Sequence, residues 1–238
     1  MLLSKFQILF SSVKKIPCNK IIYCFLFIGH LHAQNLPIGY INYYAQKATT
    51  EKLLGTINTC TPQFWNINNT NSGTILYPAG NDSIFSGVFS LNMGVIRDMV
   101  FGEYIMEFDF YTFSHLNQDS SGFCFLSPVK SPETYYAFIF GNGEVTFYFI
   151  DKGYPVKIDS KSLIPLKSSW NTLRITRDIL NRSISFVVNG DTGQKIIFSH
   201  PRLVMGFVGF GTWNAQSVIR NINIWAPTAI ADSTFLCK

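Results

Sequence analysis

From position 103 to 111 the chain reads Glu-Tyr-Ile-Met-Glu-Phe-Asp-Phe-Tyr. This sets Tyr104, Met106, Phe108 and Phe110 on one side of an extended backbone, with Glu103, Glu107 and Asp109 among the residues opposite. Side chains alternate between faces with a period of two only in a strand, so the stretch predicts a half-buried β-strand. From Ile57 onward, β-rich runs are cut every few residues by Gly, Asn, Asp, Pro and Ser, and no segment sustains a helical period. Further strands are expected over residues 122–126, 134–140, 144–150, 170–177, 183–189, 195–198, 205–213 and 217–225. Turns fall at Gly141-Asn142-Gly143, at 178–182 and at Asn189-Gly190-Asp191. A dozen or so strands with no crossover helices imply an all-β fold of two antiparallel sheets packed face to face.

Composition supports a core large enough for such a sandwich. The 238 residues are 47% hydrophobic and 16% aromatic but only 14% charged, which excludes a disordered chain and a charged coiled coil. No linker-like stretch divides the middle, so one domain is expected, with most of its aromatics in the core. The net charge of +5 is concentrated at the start, where Lys5, Lys14, Lys15 and Lys20 stand in a segment of 34 residues that contains no acid. Without that segment 15 basic residues face 14 acidic ones, with no Lys/Arg cluster, so no nucleic-acid partner is expected.

The first 34 residues have the order of a secretory signal: a basic stretch ending at Lys20, an apolar run over 21–29, and Ala33 before Gln34. The apolar run falls short of the ~20 residues that span a bilayer, so cleavage near Ala33 or Gln34 is expected rather than a permanent membrane span. The resulting organisation is a signal peptide over 1–34, a lead-in or edge segment over 35–56, a sandwich over 57–226 and a tail over 227–238. The mature protein is expected to be periplasmic or secreted, and a monomer. Cys60, Cys124 and Cys237 remain after cleavage; Cys124 lies in an apolar run and reads as a buried thiol, which leaves Cys60 and Cys237 as the candidate bridge.

Several segments, taken in order, carry a family resemblance. They are Phe101-Gly102-Glu103-Tyr104, Ser121-Gly122-Phe123, Trp170-Asn-Thr-Leu-Arg-Ile-Thr-Arg177, Ile184-Ser-Phe-Val-Val-Asn-Gly190, Gly206-Phe-Val-Gly-Phe-Gly211 and Arg220-Asn-Ile-Asn-Ile-Trp225. Over about residues 57 to 226 the chain resembles the concanavalin A-like jelly rolls of the laminin-G and family 16 glycoside hydrolase type. It is also similar to the secreted 3-keto-disaccharide hydrolase-like domains, in which a Trp-Asn pair precedes an Arg-Ile strand and an Arg-Asn-Ile strand closes the fold. The resemblance implies a two-sheet antiparallel jelly-roll sandwich acting on carbohydrate.

Family 16 hydrolases carry Glu-x-Asp-x-x-Glu on one strand, because retaining hydrolysis needs two carboxylates about 5 Å apart. The matching segment here begins at Glu133 and has Tyr135 and Phe138 in the other places, while Glu107-Phe-Asp109 lies earlier and ends in Thr112. That mechanism is therefore not expected. Elimination of the 3-keto type would draw its base and its enolate support from Glu107, Asp109, Glu133, His115 and Arg174, none paired by spacing. His115 and His200 read as solvated or capping. Trp213 and Asn214 at a strand turn suit a sugar face by stacking and amide hydrogen bonds, and Glu133 and Tyr135 suit the matching strand. Trp170 and Trp225 read as structural, and Trp65 carries no assignment. No cofactor or metal is expected: Asp151 and Asp191 are the loop acids nearest to a calcium site, and solvated turns account for both. The sequence reading is thus an exported domain that binds a glycan non-covalently on a concave face. A glycoside-cleaving enzyme is the alternative, and a structural or adhesion module the second.

Overall fold

The two-residue alternation is carried through most of the chain as antiparallel strands. The computed structural model describes residues 36–45, 57–59, 65–70, 73–78, 93–96, 98–115, 122–141, 143–213 and 215–235. In chain order the strands are β1 (Ile41–Ala45), β2 (Ile57–Thr59), β3 (Trp65–Thr70), β4 (Gly73–Pro78), β5 (Gly94–Ile96), β6 (Met99–Val100), β7 (Tyr104–His115), β8 (Gly122–Ser131) and β9 (Thr134–Phe140). They continue as β10 (Glu144–Asp151), β11 (Tyr154–Ser162), β12 (Asn171–Asp178), β13 (Ser183–Val188), β14 (Ile196–Ser199), β15 (Phe207–Trp213), β16 (Ala215–Ala226) and β17 (Ile230–Ala231). One sheet runs β14-β13-β12-β7-β16-β4-β3, with β1 sharing the far edge of β16. A seven-stranded sheet runs β11-β10-β9-β8-β15-β5-β2, and β17 pairs with β6 alone.

The expected half-buried strand is β7. Tyr104, Met106, Phe108 and Phe110 are at most 1% exposed and face the other sheet, while Glu107 and Asp109 stand on the outer side. β12 repeats the pattern, burying Asn171, Leu173, Ile175 and Arg177 and turning Thr172, Arg174, Thr176 and Asp178 outward. Between the sheets lies an aromatic core in which Phe138 stacks on Phe147 at 4.6 Å and Phe110 on Phe123 at 4.9 Å. Each such ring contributes on the order of 2 kcal/mol by burial.

The seven-stranded sheet is also buried on its outer side. Val95, Cys124, Leu126, Ala137 and Ile139 form a second cluster there at 0–2% exposure, and Phe235 from the C-terminal segment packs on Phe207 at 5.2 Å. This is why β9 is apolar on both faces and shows no alternation.

β1 lies within 35–56 and pairs with β16, and β17 lies within 227–238 and pairs with β6, so the sheets recruit chain on both sides of 57–226. β11 was absent from the expected strands. It is a mostly exposed edge strand whose Lys157, Asp159 and Lys161 are the charged residues that protect an open edge, and they remove the apolar signal a strand reading relies on. The segment 1–34, Cys60 and Cys237 lie outside the described residues. Cys124 is buried, its thiol donating to the Gly122 carbonyl at 3.8 Å.

Candidate binding cleft

Two adjacent hairpins form one end of the seven-stranded sheet. β8 and β9 reverse at Pro132-Glu133, with Ser131 opposite Thr134. β10 and β11 reverse at Lys152-Gly153, where both residues have positive φ (52° and 83°), the geometry that matches a two-residue turn to strand twist. The Gly153 amide donates to the Glu133 carbonyl at 2.9 Å and ties the turns together. Beside them opens a cleft of about 310 Å³ lined by Pro128 and Lys130 of β8, Thr134, Tyr135 and Tyr136 of β9, Phe149 and Asp151 of β10, and Arg202 of the β14–β15 connection.

The connection that brings Arg202 to the cleft is fixed along its length. Arg177 is the one charged side chain among the fully buried described residues, and its guanidinium donates to the carbonyls of Leu203, Ser183 and Asp178. His200 N donates to Arg182 O at 3.1 Å, Leu203 N to His200 O at 3.0 Å, and Gly206 exchanges two backbone bonds with Phe101. A β-carbon on Gly206 would stand 2.4 Å from the Pro128 ring, so glycine is what lets this connection close against β8. Pro128 itself follows a cis peptide bond, and Ser127 accepts from the buried Tyr104 hydroxyl at 2.6 Å.

The aromatic face of the cleft is the half-buried Phe149 ring, backed by the buried Tyr136 with centroids 4.8 Å apart and ring planes tilted by 30°. Tyr136 is buried, and its hydroxyl bonds His200 Nδ1 at 3.0 Å; burial pushes the phenol up to about 12, against the opposing charge of Arg202, so it stays a neutral donor. Arg202 lies over the Phe149 ring at 5.9 Å. Among the described residues, Asp151 is the one carboxylate lining the cleft.

The residues singled out from sequence are dispersed. Tyr135 lines the cleft, but at 2% exposure its ring belongs to the second cluster and offers no face for stacking; burial raises its phenol well above the ordinary value. Glu133 is exposed on the neighbouring turn. Trp213 is half-buried against the second cluster, opposite Gly122, whereas Tyr135 is opposite Val129 on the same strand. Seven residues of β8 separate those positions, roughly 20 Å at the rise of a strand, so Trp213 and Tyr135 do not share a site. Asn214 lies outside the described residues.

Glu107 and Asp109 are on the opposite sheet, each facing an arginine of a neighbouring strand. Arg174 Nη1 reaches Glu107 Oε2 at 3.1 Å, and Arg220 Nε reaches Asp109 Oδ2 at 3.3 Å. Asp109 also accepts from Thr172 and Asn221, both at 2.8 Å, where a bulge puts Asn221 at φ 56°. Arg220 lies 3.8 Å from the Trp170 centroid, and Trp225 is buried, so both tryptophans pack within the protein. Glu107 and Asp109 are therefore neighbours on one face of β7, each held by protein partners, and Glu133 lies on the other sheet.

Among the described residues no group of three His, Cys, Asp or Glu side chains converges as a metal site; Asp191 accepts from Gly193 N as a turn cap. No helix there is long and apolar enough to cross a membrane. His115 ends β7 opposite Ala215. Tyr136, Phe149, Lys130 and Arg202 were not singled out from sequence; the signal that gathers them is the pairing of two adjacent hairpins, which no local motif carries.

No family model and no curated protein matches the sequence. Solved structures do. A carbohydrate-binding module, CBM66 of Bacillus subtilis, is 11% identical, with 72% of this chain and 96% of that one covered and a TM-score of 0.53. The β-glucanase of Bacillus licheniformis is 11% identical over 77% and 97%, with a TM-score of 0.51. A peanut lectin is 10% identical over 81% and 99%, with a TM-score of 0.53. At this identity the likeness speaks for architecture, and with two antiparallel sheets in the observed order the chain has the concanavalin A-like jelly-roll fold.

Proposed function

We propose that this is an exported domain that binds carbohydrate non-covalently in the cleft at the end of the β8–β9 and β10–β11 hairpins. The observation that carries the reading is the cleft itself, about 310 Å³ in volume, with an aromatic face at Phe149 and polar groups at Lys130, Thr134, Asp151 and Arg202. Ligand sites begin at about this size, with apolar walls and a few placed polar groups. Aromatic carbon suits the C–H side of a sugar ring, and the polar groups suit its hydroxyls. Similarity in fold to a carbohydrate-binding module and a lectin supports the same class of ligand.

Binding is preferred over cleavage because glycoside hydrolysis by the common route needs two carboxylates flanking the bond, and Asp151 alone lines the cleft among the described residues. The test is a glycan-array screen of the mature protein, with product analysis on every retained sugar, repeated with Arg202→Ala and Phe149→Ala. Retention without turnover, lost in both variants, is expected; retention unchanged in both removes the cleft as the site. N-terminal sequencing of the exported protein is expected to begin near Gln34 or Asn35, and an intact N-terminus would remove the export reading.

A structural or adhesion role is the second reading. It is favoured by the outer face of the seven-stranded sheet, where Val95, Cys124, Leu126, Ala137 and Ile139 are buried. Silence across all glycans would select it.

A further inference from the structure

We infer that the cleft takes an acidic saccharide, one whose carboxylate or sulfate group is held by Arg202 and Lys130. This rests on the reading of the cleft as a sugar site and adds the charge of the ligand. Two cations and one carboxylate line the cleft. Among the described residues the ion pairs are Lys161 with Asp159, Arg174 with Glu107, and Arg220 with Asp109, so neither Arg202 nor Lys130 has its charge taken up by an acid.

Arg202 differs from the other exposed cations in how it is held. Its backbone amide donates to His200 Nδ1 at 3.3 Å, the connection on either side is anchored by Arg177 and Arg182, and its guanidinium lies over Phe149. A planar guanidinium placed over an aromatic face by a fixed loop keeps its donors directed at a ligand and loses little freedom on binding. Arg182 donates to Pro201 O of the same loop and adds to the positive field. Asp151 opposes the cations as an acceptor for sugar hydroxyls and disfavours a second anionic group beside it. A mono-anionic residue therefore fits better than a densely charged polymer.

The experiment titrates the full mature protein with a galactan oligosaccharide carrying a single terminal galacturonate, with the methyl ester of that oligosaccharide, and with the same galactan in neutral and singly sulfated forms, each at low and high salt. The acid is expected to bind at least about tenfold more tightly than its ester, the usual worth of one charge-assisted contact, with the advantage shrinking at high salt. Arg202→Ala is expected to erase that difference, Arg202→Lys to retain part of it, and Lys130→Ala to reduce it, all with unchanged thermal midpoints because both side chains are exposed. Preference for the sulfated oligosaccharide over its neutral form supports the inference and assigns the ester. Equal binding of acid and ester overturns it and leaves carbohydrate binding standing. If neutral and acidic glycans are all refused, both in this titration and across the array, the sugar-site reading itself fails.

Discussion

The Tyr136 hydroxyl and His200 Nδ1 are 3.0 Å apart, and the same ring nitrogen accepts the Arg202 amide at 3.3 Å. A backbone N–H can only donate, so Nδ1 is an acceptor, the ring proton sits on Nε2, and His200 is neutral. Its pKa is lowered from the ordinary histidine value, first by burial and then by the charge of Arg202. The unfolded chain therefore takes up the histidine proton at higher pH than the folded one. The contribution of His200 to stability is complete above about pH 6.5 and is lost as pH falls below that through the folded value. Thermal midpoints from pH 7.5 to 5 are expected to fall more in the wild type than in His200→Gln. Parallel profiles would show that this nitrogen does not control the cleft.

Arg177 is 1% exposed, and its hydrogen bonds to Leu203, Ser183 and Asp178 hold the loop that presents Arg202. Arg177→Met keeps most of the unbranched stem and strands three carbonyls. A loss of about 3 kcal/mol in urea denaturation is expected, together with weaker ligand retention. Arg177→Lys, which cannot fork between carbonyls, is expected to fall between the two. Full stability in Arg177→Met would mean that the loop is held by its backbone bonds alone.

Strands whose burial alternates or runs apolar throughout were legible from the chain. β9 matches its expected bounds, and β12, β13 and β16 match to within two residues. What hid the others was the absence of a hydrophobic signal: β11 is an exposed edge, and β5, β6 and β17 are two or three residues long. The cleft was illegible for a different reason. Lys130, Phe149 and Arg202 come from three separate parts of the chain, and each looks locally like a strand or loop residue. The bulkiest aromatics in the sequence drew attention to Trp213, which packs on the second cluster, and to Tyr135, which is buried in it. Only the ladder between β8, β9 and β10 shows that the turns at 132–133 and 152–153 are neighbours.

Gly122 begins β8 beside the end of β9. A β-carbon there would stand 1.9 Å from the Phe140 carbonyl oxygen and 2.7 Å from its carbon, both backbone atoms that cannot turn aside. Gly122→Ala is expected to cost about 3 kcal/mol in chemical denaturation, the upper end for overpacking. Gly143 provides the comparison: its φ is +80° but nothing lies within 4 Å, so Gly143→Ala is expected to cost only about 1 kcal/mol through backbone strain. The reverse order would mean that the sheet shifts to accommodate the methyl group.

Glu107 and Asp109 share the outer side of β7, and their spacing invites a catalytic reading that their partners oppose. Asp109 accepts from Thr172, Arg220 and Asn221, so all its strong contacts are made within the protein. Glu107 has Arg174, and both side chains of that pair remain about 30% exposed, at 30% and 28%. Asp109→Ala is expected to cost about 1–2 kcal/mol, because a partly buried charge-assisted network is lost. Glu107→Ala is expected to cost under about 1 kcal/mol, the usual worth of a solvent-screened pair, and less at high salt. Neither change should alter retention of a glycan bound at the other sheet. If Glu107→Gln or Asp109→Asn abolishes a measurable turnover, the function lies on the eight-stranded sheet and the cleft is not where it acts.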